Sequence, residues 1–256
     1  MKIKNAKCFI LSLLFFTYLF IVYDVNFNGP DYPIYLAYTA SLVDDGDLNA
    51  AKHSDSSYYY SLFLNNQIAV SKTYNLPDYH NHGGVVLWAP FYAYAKLIGI
   101  IADKLSIKKL TLERLNRLTR CMMSFSTVVF AFFTVLLTYA LCRIFFSVNI
   151  ALWSIIAVFF GTPFIYYTIQ ETANATIIAC LLSILSIWFC IYALGMKKSH
   201  WFLYGIFFSN CSVAKSALWF QIFFIFPFFV YLLKNKQTNL INGLYFIIGT
   251  VPGLAL

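Results

Sequence analysis

Residues 119–142 read TRCMMSFSTVVFAFFTVLLTYALC, an apolar run carrying one charge, Arg120, at its edge. About 17–25 apolar residues suffice to cross the hydrocarbon core of a bilayer as a helix, so this stretch predicts a transmembrane segment. Working outward, comparable runs follow at about Ile150–Ile169, Ala173–Leu194, Trp201–Val213, Leu218–Leu233 and Ile241–Leu256, and one precedes it at Cys8–Tyr23. The composition of the whole chain agrees. Of its 256 residues 61% are hydrophobic, 20% aromatic and only 11% charged, with a mean hydropathy of +0.71. A soluble domain averages about 45–50% apolar and about 25% charged residues, so too few charges remain here to coat a water-soluble core. The fold class expected is an all-α polytopic membrane protein. Disorder, a secreted disulfide scaffold and a nucleic-acid partner are excluded, and the net charge of +8 is read as a determinant of orientation.

Charge placement orders the segments. Lys2, Lys4 and Lys7 precede Cys8–Tyr23, and the residues after it, Asp24-Val25-Asn26-Phe27-Asn28, are too bulky and polar for a signal-peptidase site. This predicts an uncleaved signal anchor with its N-terminus in the cytoplasm. The stretch Gly83–Ala102 is ambiguous: it is long enough to cross, but Pro90 and Lys96 interrupt it and Trp88, Phe91, Tyr92 and Tyr94 suit an interfacial helix. If it crosses, Arg143, Lys197, Lys198, Lys234 and Lys236 all fall outside. If it lies in the interface they fall inside, leaving Lys215 as the outer basic residue of the short loops. The second arrangement is preferred. It gives about seven spans: residues 1–23 as the anchor, 24–118 as one large extracytoplasmic loop with amphipathic or interfacial helices, and 119–256 as a bundle of about six transmembrane helices. The basic residues from Lys104 to Arg120 then form a solvated or headgroup-facing strip on that loop. The last apolar run stops at Gly253-Leu254-Ala255-Leu256 without a flanking charge, which predicts the N-terminal portion of a longer protein. The six cysteines lie in or beside apolar runs without paired spacing and are read as small hydrophobes.

The chain has ten acidic residues, and Asp24, Asp31, Asp44, Asp45, Asp47, Asp55 and Asp78 lie in the large loop. Pro30 and Pro33 suit the start of a helix there and Gly46 suits its stop. A helix beginning at Asp31 places Asp31, Tyr35, Tyr38 and Leu42 on one face. Two readings of Asp31 stand together: a general base toward a hydroxyl acceptor beside the bilayer, or a helix-capping residue among interfacial tyrosines. Asp78-Tyr79-His80-Asn81-His82 offers three metal-ligand types, yet its spacing equally fits a polar turn, and no metal is assigned. Glu171 is the one acid beyond Glu113, and it and Lys215 fall at the outer membrane edge. Ionisable residues at such depths are functional candidates because desolvating them is costly. Lys215 suits a lipid phosphate, or a snorkelling side chain at a helix turn.

Several of these stretches, taken in order, resemble a known family. Asp31-Tyr32-Pro33-Ile34-Tyr35, the Ala/Ser/Leu helix after it and Asp45-Gly46-Asp47-Leu48 resemble the first external loop of the GT-C superfamily of membrane glycosyltransferases, the polyprenyl-phosphate-sugar-dependent enzymes related to protein O-mannosyltransferases and lipid A aminoarabinose transferases. His82-Gly83-Gly84 with Leu87-Trp88-Ala89-Pro90-Phe91-Tyr92, the stretch Gly161-Thr162-Pro163-Phe164 through Glu171 to Asn174-Ala175, and Gly205 to Lys215-Ser216 are similar to later segments. Val251-Pro252-Gly253-Leu254 resembles the middle of such proteins. The resemblance implies a loop with juxtamembrane helices after the first span. It implies sugar transfer from a polyprenyl-phosphate carrier to a lipid, glycan or protein acceptor at the outer face of the plasma (inner) membrane. It makes Asp31 the catalytic base, sets Lys215 against the donor phosphate, and puts His82 and Glu171 in the cleft; Tyr35, on the same helix face as Asp31, is read as a substrate-binding residue. Tyr32 and Ile34 stand where the family commonly has an acid and a histidine. The alternative class is a non-enzymatic polytopic protein, a transporter or an inactive transferase remnant, of which a transporter would gather ionisable residues near the bilayer midplane.

Overall fold

The computed structural model describes residues 32–48, 53, 84–105, 112–193, 201–206, 208–209, 230 and 240–254. Every regular element among them is helical: α1 (Tyr32–Asp44), α2 (Val85–Lys104), α3 (Leu112–Phe145), α4 (Val148–Gly161), α5 (Phe164–Ile169), α6 (Ala175–Ala193) and α7 (Leu240–Leu254), with a further helical stretch at 201–206. The expected all-α class holds for these residues. Among the described residues two helices are long and apolar enough to cross a membrane: α2, and Arg114–Phe145 within α3. The run Thr119–Cys142 lies inside α3, and Ala173–Leu194 and Ile241–Leu256 correspond to α6 and α7. The anchor Cys8–Tyr23 and most of Leu218–Leu233 lie outside the described residues.

One expected segment is broken. Ile150–Ile169 reads as a single apolar run, but α4 ends at Gly161 and α5 starts at Phe164. Pro163 is the reason. Its ring crowds the preceding residue out of the helical region, and Thr162 accordingly sits at φ −126°, ψ 166°. The Thr162 hydroxyl donates to Val158 O at 2.7 Å and accepts from Phe164 N–H at 3.3 Å, closing the break. Pro90, by contrast, is carried inside α2 without ending it.

The chain divides into two compact units, residues 1–129 with 166–174, and residues 130–165 with 175–256. In the first, α1 packs on α2. Residues Ile34 to Ser41 are buried all round, as expected of a helix whose every face is apolar or small. Ile34, Ala37 and Tyr38 meet Val85, with Leu42 and Leu48 alongside. The Tyr35 ring lies 4.9 Å from that of Trp88 at 47°, within the range of favourable aromatic pairs. Helix α2 buries Val85, Trp88, Tyr92, Ala95 and Gly99, spaced three and four residues apart, and a Cβ on Gly99 would lie 2.7 Å from Leu115 Cδ1. α1 stops at Asp44. Beyond it Gly46 takes φ +71°, the left-handed conformation that glycine adopts without steric cost, as its place in Asp-Gly-Asp predicts.

In the second unit Arg143 at the end of α3 donates to Phe146 O at 2.7 Å, a cation satisfying a helix C-terminal carbonyl, and Ser147 turns the chain into α4. Trp188 of α6 donates its indole N–H to Leu137 O of α3 at 3.0 Å. Trp201, Tyr204 and Phe208 form a core with Phe189, Tyr245 and Phe246, the rings of Tyr204 and Phe246 being 4.8 Å apart. There the backbones of 201–206 and α7 meet at Gly205 and Gly249. A Cβ on Gly249 would collide with Phe202 O, and one on Gly205 with Phe246 O. Small residues at such crossings let helix backbones touch. Gly249→Leu is therefore expected to force the pair apart, costing about 1–3 kcal/mol. The check is a lower melting temperature of the detergent-solubilised protein, with Gly249→Ala intermediate.

Candidate functional site

Two polar constellations stand out, both in the first unit. The first is at the end of α1. Asp44 accepts from Lys96 Nζ at 2.5 Å through Oδ1 and from the Tyr92 hydroxyl at 3.3 Å through Oδ2. Tyr92 and Lys96 are four residues apart on α2, so they share a face, and Nζ sits 5.7 Å from the Tyr92 ring centroid. Asp45 meets His53 Nε2 at 3.0 Å, and Asp47 accepts from the Ser41 hydroxyl at 2.5 Å. Each acid of the Asp-Asp-Gly-Asp run therefore has a different partner, and together they fix the end of α1.

The second constellation is the turn between α5 and α6. The backbone N–H groups of Gln170 and Glu171 both donate to Tyr166 O, at 2.8 and 3.2 Å. The Thr172 hydroxyl donates to Ser124 Oγ at 3.0 Å, and Ala173 N–H donates to Thr127 Oγ1 at 2.8 Å. Ala173 takes φ 58°, a conformation that costs an alanine roughly 1–2 kcal/mol and persists only where neighbours enforce it. Here the buried hydroxyls of α3 do so. Glu171 is half-buried, and its Oε1 accepts from Asn174 Nδ2 at 3.0 Å. Chemically, this turn is a rigid mount for one carboxylate able to accept further hydrogen bonds from hydroxyl or amino groups.

Of the residues singled out from sequence, Asp31, His82 and Lys215 lie outside the described residues, as does the Asp78–His82 run. Tyr35 and Glu171 are described and belong to the same unit. Tyr35 is 5% exposed and holds α1 on Trp88. Among the described residues no three His, Cys, Asp or Glu side chains converge on one point. The residues that sequence reading passed over are Asp44, Tyr92 and Lys96, together with Ser124 and Thr127. Lys96 looked like an interruption of an apolar helix; its carboxylate partner is 52 positions away in sequence and leaves no local trace. The hydroxyls of Ser124, Ser126 and Thr127 were visible as a polar cluster in an apolar run, a signal of packing against another polar segment. Comparison with protein-family models, curated proteins and solved structures finds no match to this chain.

Proposed function

We propose that the protein is a multi-pass membrane glycosyltransferase, in whole or as an N-terminal portion, moving a sugar from a polyprenyl-phosphate carrier to an acceptor at the extracytoplasmic face. In this reading seven segments cross the bilayer with the N-terminus cytoplasmic, Asp31 is the general base, and Tyr35, His82, Glu171 and Lys215 serve the substrates. The observation that carries it is the mounting of Glu171. Asn174 donates to the carboxylate, and the turn that carries both is pinned at Thr172 and Ala173 by hydroxyls of α3. A solvated loop needs no such rigidity, whereas a group that orients sugar hydroxyls does. Membrane embedding is supported by apolar side chains that face outward. Trp153 of α4 is 70% exposed, and α7 exposes Ile241, Leu244, Ile248 and Val251 in one helical stripe. Tyr35 acts at one remove, by setting the angle of α1, whose first residue follows Asp31.

The test is transfer of radiolabelled sugar from a panel of polyprenyl-phosphate donors to endogenous acceptors, in membranes containing the complete gene product. Glu171→Gln, which keeps the hydrogen bond to Asn174 possible but removes the charge, is expected to lower kcat/KM about tenfold, the effect of about 1.4 kcal/mol of lost binding to a hydroxyl. Transfer from no donor would overturn the reading in favour of a non-enzymatic polytopic protein.

A further inference from the structure

Helix α2 has a length and apolarity that fit a membrane span, yet its contacts do not suit one. Lys96 is the twelfth of its twenty residues. Were α2 to cross the bilayer, Lys96 would lie about 17 Å from the helix start, near the midplane, at 1.5 Å rise per residue. Asp44 is bonded to Lys96, and Asp44 and Asp45 are exposed, with Asp47 just beyond. A crossing α2 with α1 attached would carry three carboxylates into hydrocarbon, where ionised groups are most costly. A crossing α2 without α1 would leave Lys96 alone at mid-depth and uncover Tyr35, Ile34 and Tyr38. Lying along the surface avoids both. The stripe opposite α1, formed by Val86, Pro90, Tyr94, Leu97 and Ile101, is exposed and apolar with a tyrosine at its centre, the composition of a helix resting at the headgroup boundary. Arg114 and Arg117, exposed one turn apart at the start of α3, supply the charge complement for lipid phosphates.

We propose that α2 is a span-competent helix which the Asp44–Lys96–Tyr92 contact holds in the plane of the membrane, its uncovered stripe lying on lipid, so that this ion pair decides the topology of everything after it. The inference rests on the membrane reading above but not on sugar transfer, and its test involves neither donor nor acceptor. In the full chain with its six cysteines replaced by serine, single cysteines are placed at Val86 and Leu105, exposed positions at the two ends of α2. A membrane-impermeant maleimide is then applied to sealed vesicles of each orientation. Both ends are expected to react from the same side. Lys96→Leu removes the charge that opposes crossing, and is expected to lower same-side labelling at position 105 several-fold until the vesicles are opened. The exchange Asp44→Lys with Lys96→Asp restores an ion pair and is expected to restore same-side labelling, which a merely misfolded chain would not do. Ends on opposite sides in the unaltered chain, same-side labelling in Lys96→Leu, or no recovery in the exchange variant would each overturn the proposal. Failure of the glycosyltransferase reading would leave all of these results unchanged.

Discussion

Asp31→Asn is expected to lower sugar transfer about 10²- to 10⁴-fold, the range over which a positioned general base contributes, while leaving the protein as stable as before. The substitution separates the two readings of this residue. In the sequence Asp31 stands between Pro30 and Pro33, where a helix cap is expected. Asparagine is as good a cap as aspartate: its side-chain oxygen still accepts from the N–H groups of the first turn. If capping were the only role, Asn would be nearly silent in both stability and turnover. If Asp31 takes a proton from the acceptor hydroxyl, Asn cannot, because an amide has no basic form near neutral pH. Asp31→Ala complements it by removing both roles, and should add about 1 kcal/mol of destabilisation to the same kinetic loss. The measurement is kcat for transfer at saturating donor, beside the melting temperature of each variant. Unchanged kcat in Asp31→Asn sinks the catalytic role.

Much of the helical architecture was legible in the sequence because apolar run length and the two strongest breakers, Pro and Gly, are local signals. Gly46 in its Asp-Gly-Asp setting marked the end of α1, and the runs around Thr119–Cys142 and Ala173–Leu194 marked α3 and α6. The same logic erred at Ile150–Ile169, where hydropathy alone hid the effect of Pro163 on Thr162. The face assigned to α1 was also too narrow. Periodicity suggested a stripe through Tyr35, Tyr38 and Leu42, whereas the helix is enclosed along Ile34 to Ser41. A helix with small residues such as Ala37, Ala40 and Ser41 between its large ones can be packed on every side, and a stripe cannot be read from it. Of the candidate site, Glu171 was found because a lone acid among apolar runs is conspicuous. Its supports were not, since Ser124 and Thr127 lie more than forty positions away and act by accepting from a backbone and a hydroxyl. Partnerships between distant polar groups leave no periodic trace.

Trp88→Ala is expected to be the most destabilising single change in the first unit, by about 3–5 kcal/mol. The indole has no exposed surface and is packed against the Tyr35 ring. Its loss would empty the space between α1 and α2 at a point where both helices are closely packed. The expected cost comes from two sources: the packing contacts of the ring itself, and the cavity that the flanking Val85 and Tyr92 positions, fixed on the same helix face, cannot collapse to fill. Trp88→Phe distinguishes packing from polar effects. The indole Nε1–H is buried and has no acceptor among the described residues, so phenylalanine removes a donor unsatisfied there, worth about 1–3 kcal/mol when left unpaired, at the expense of a smaller ring. These two changes oppose each other, and Trp88→Phe is expected to shift stability by no more than about 1 kcal/mol. Thermal unfolding of the three proteins in the same detergent provides the check. A loss in Trp88→Phe as large as in Trp88→Ala would mean that the indole N–H has a hydrogen-bond partner. If instead Trp88→Ala melts α1 away from α2, the contact between Asp44 and Lys96 goes with it. Same-side labelling at Leu105 should then fall less than in Lys96→Leu, because the Lys96 charge still opposes crossing.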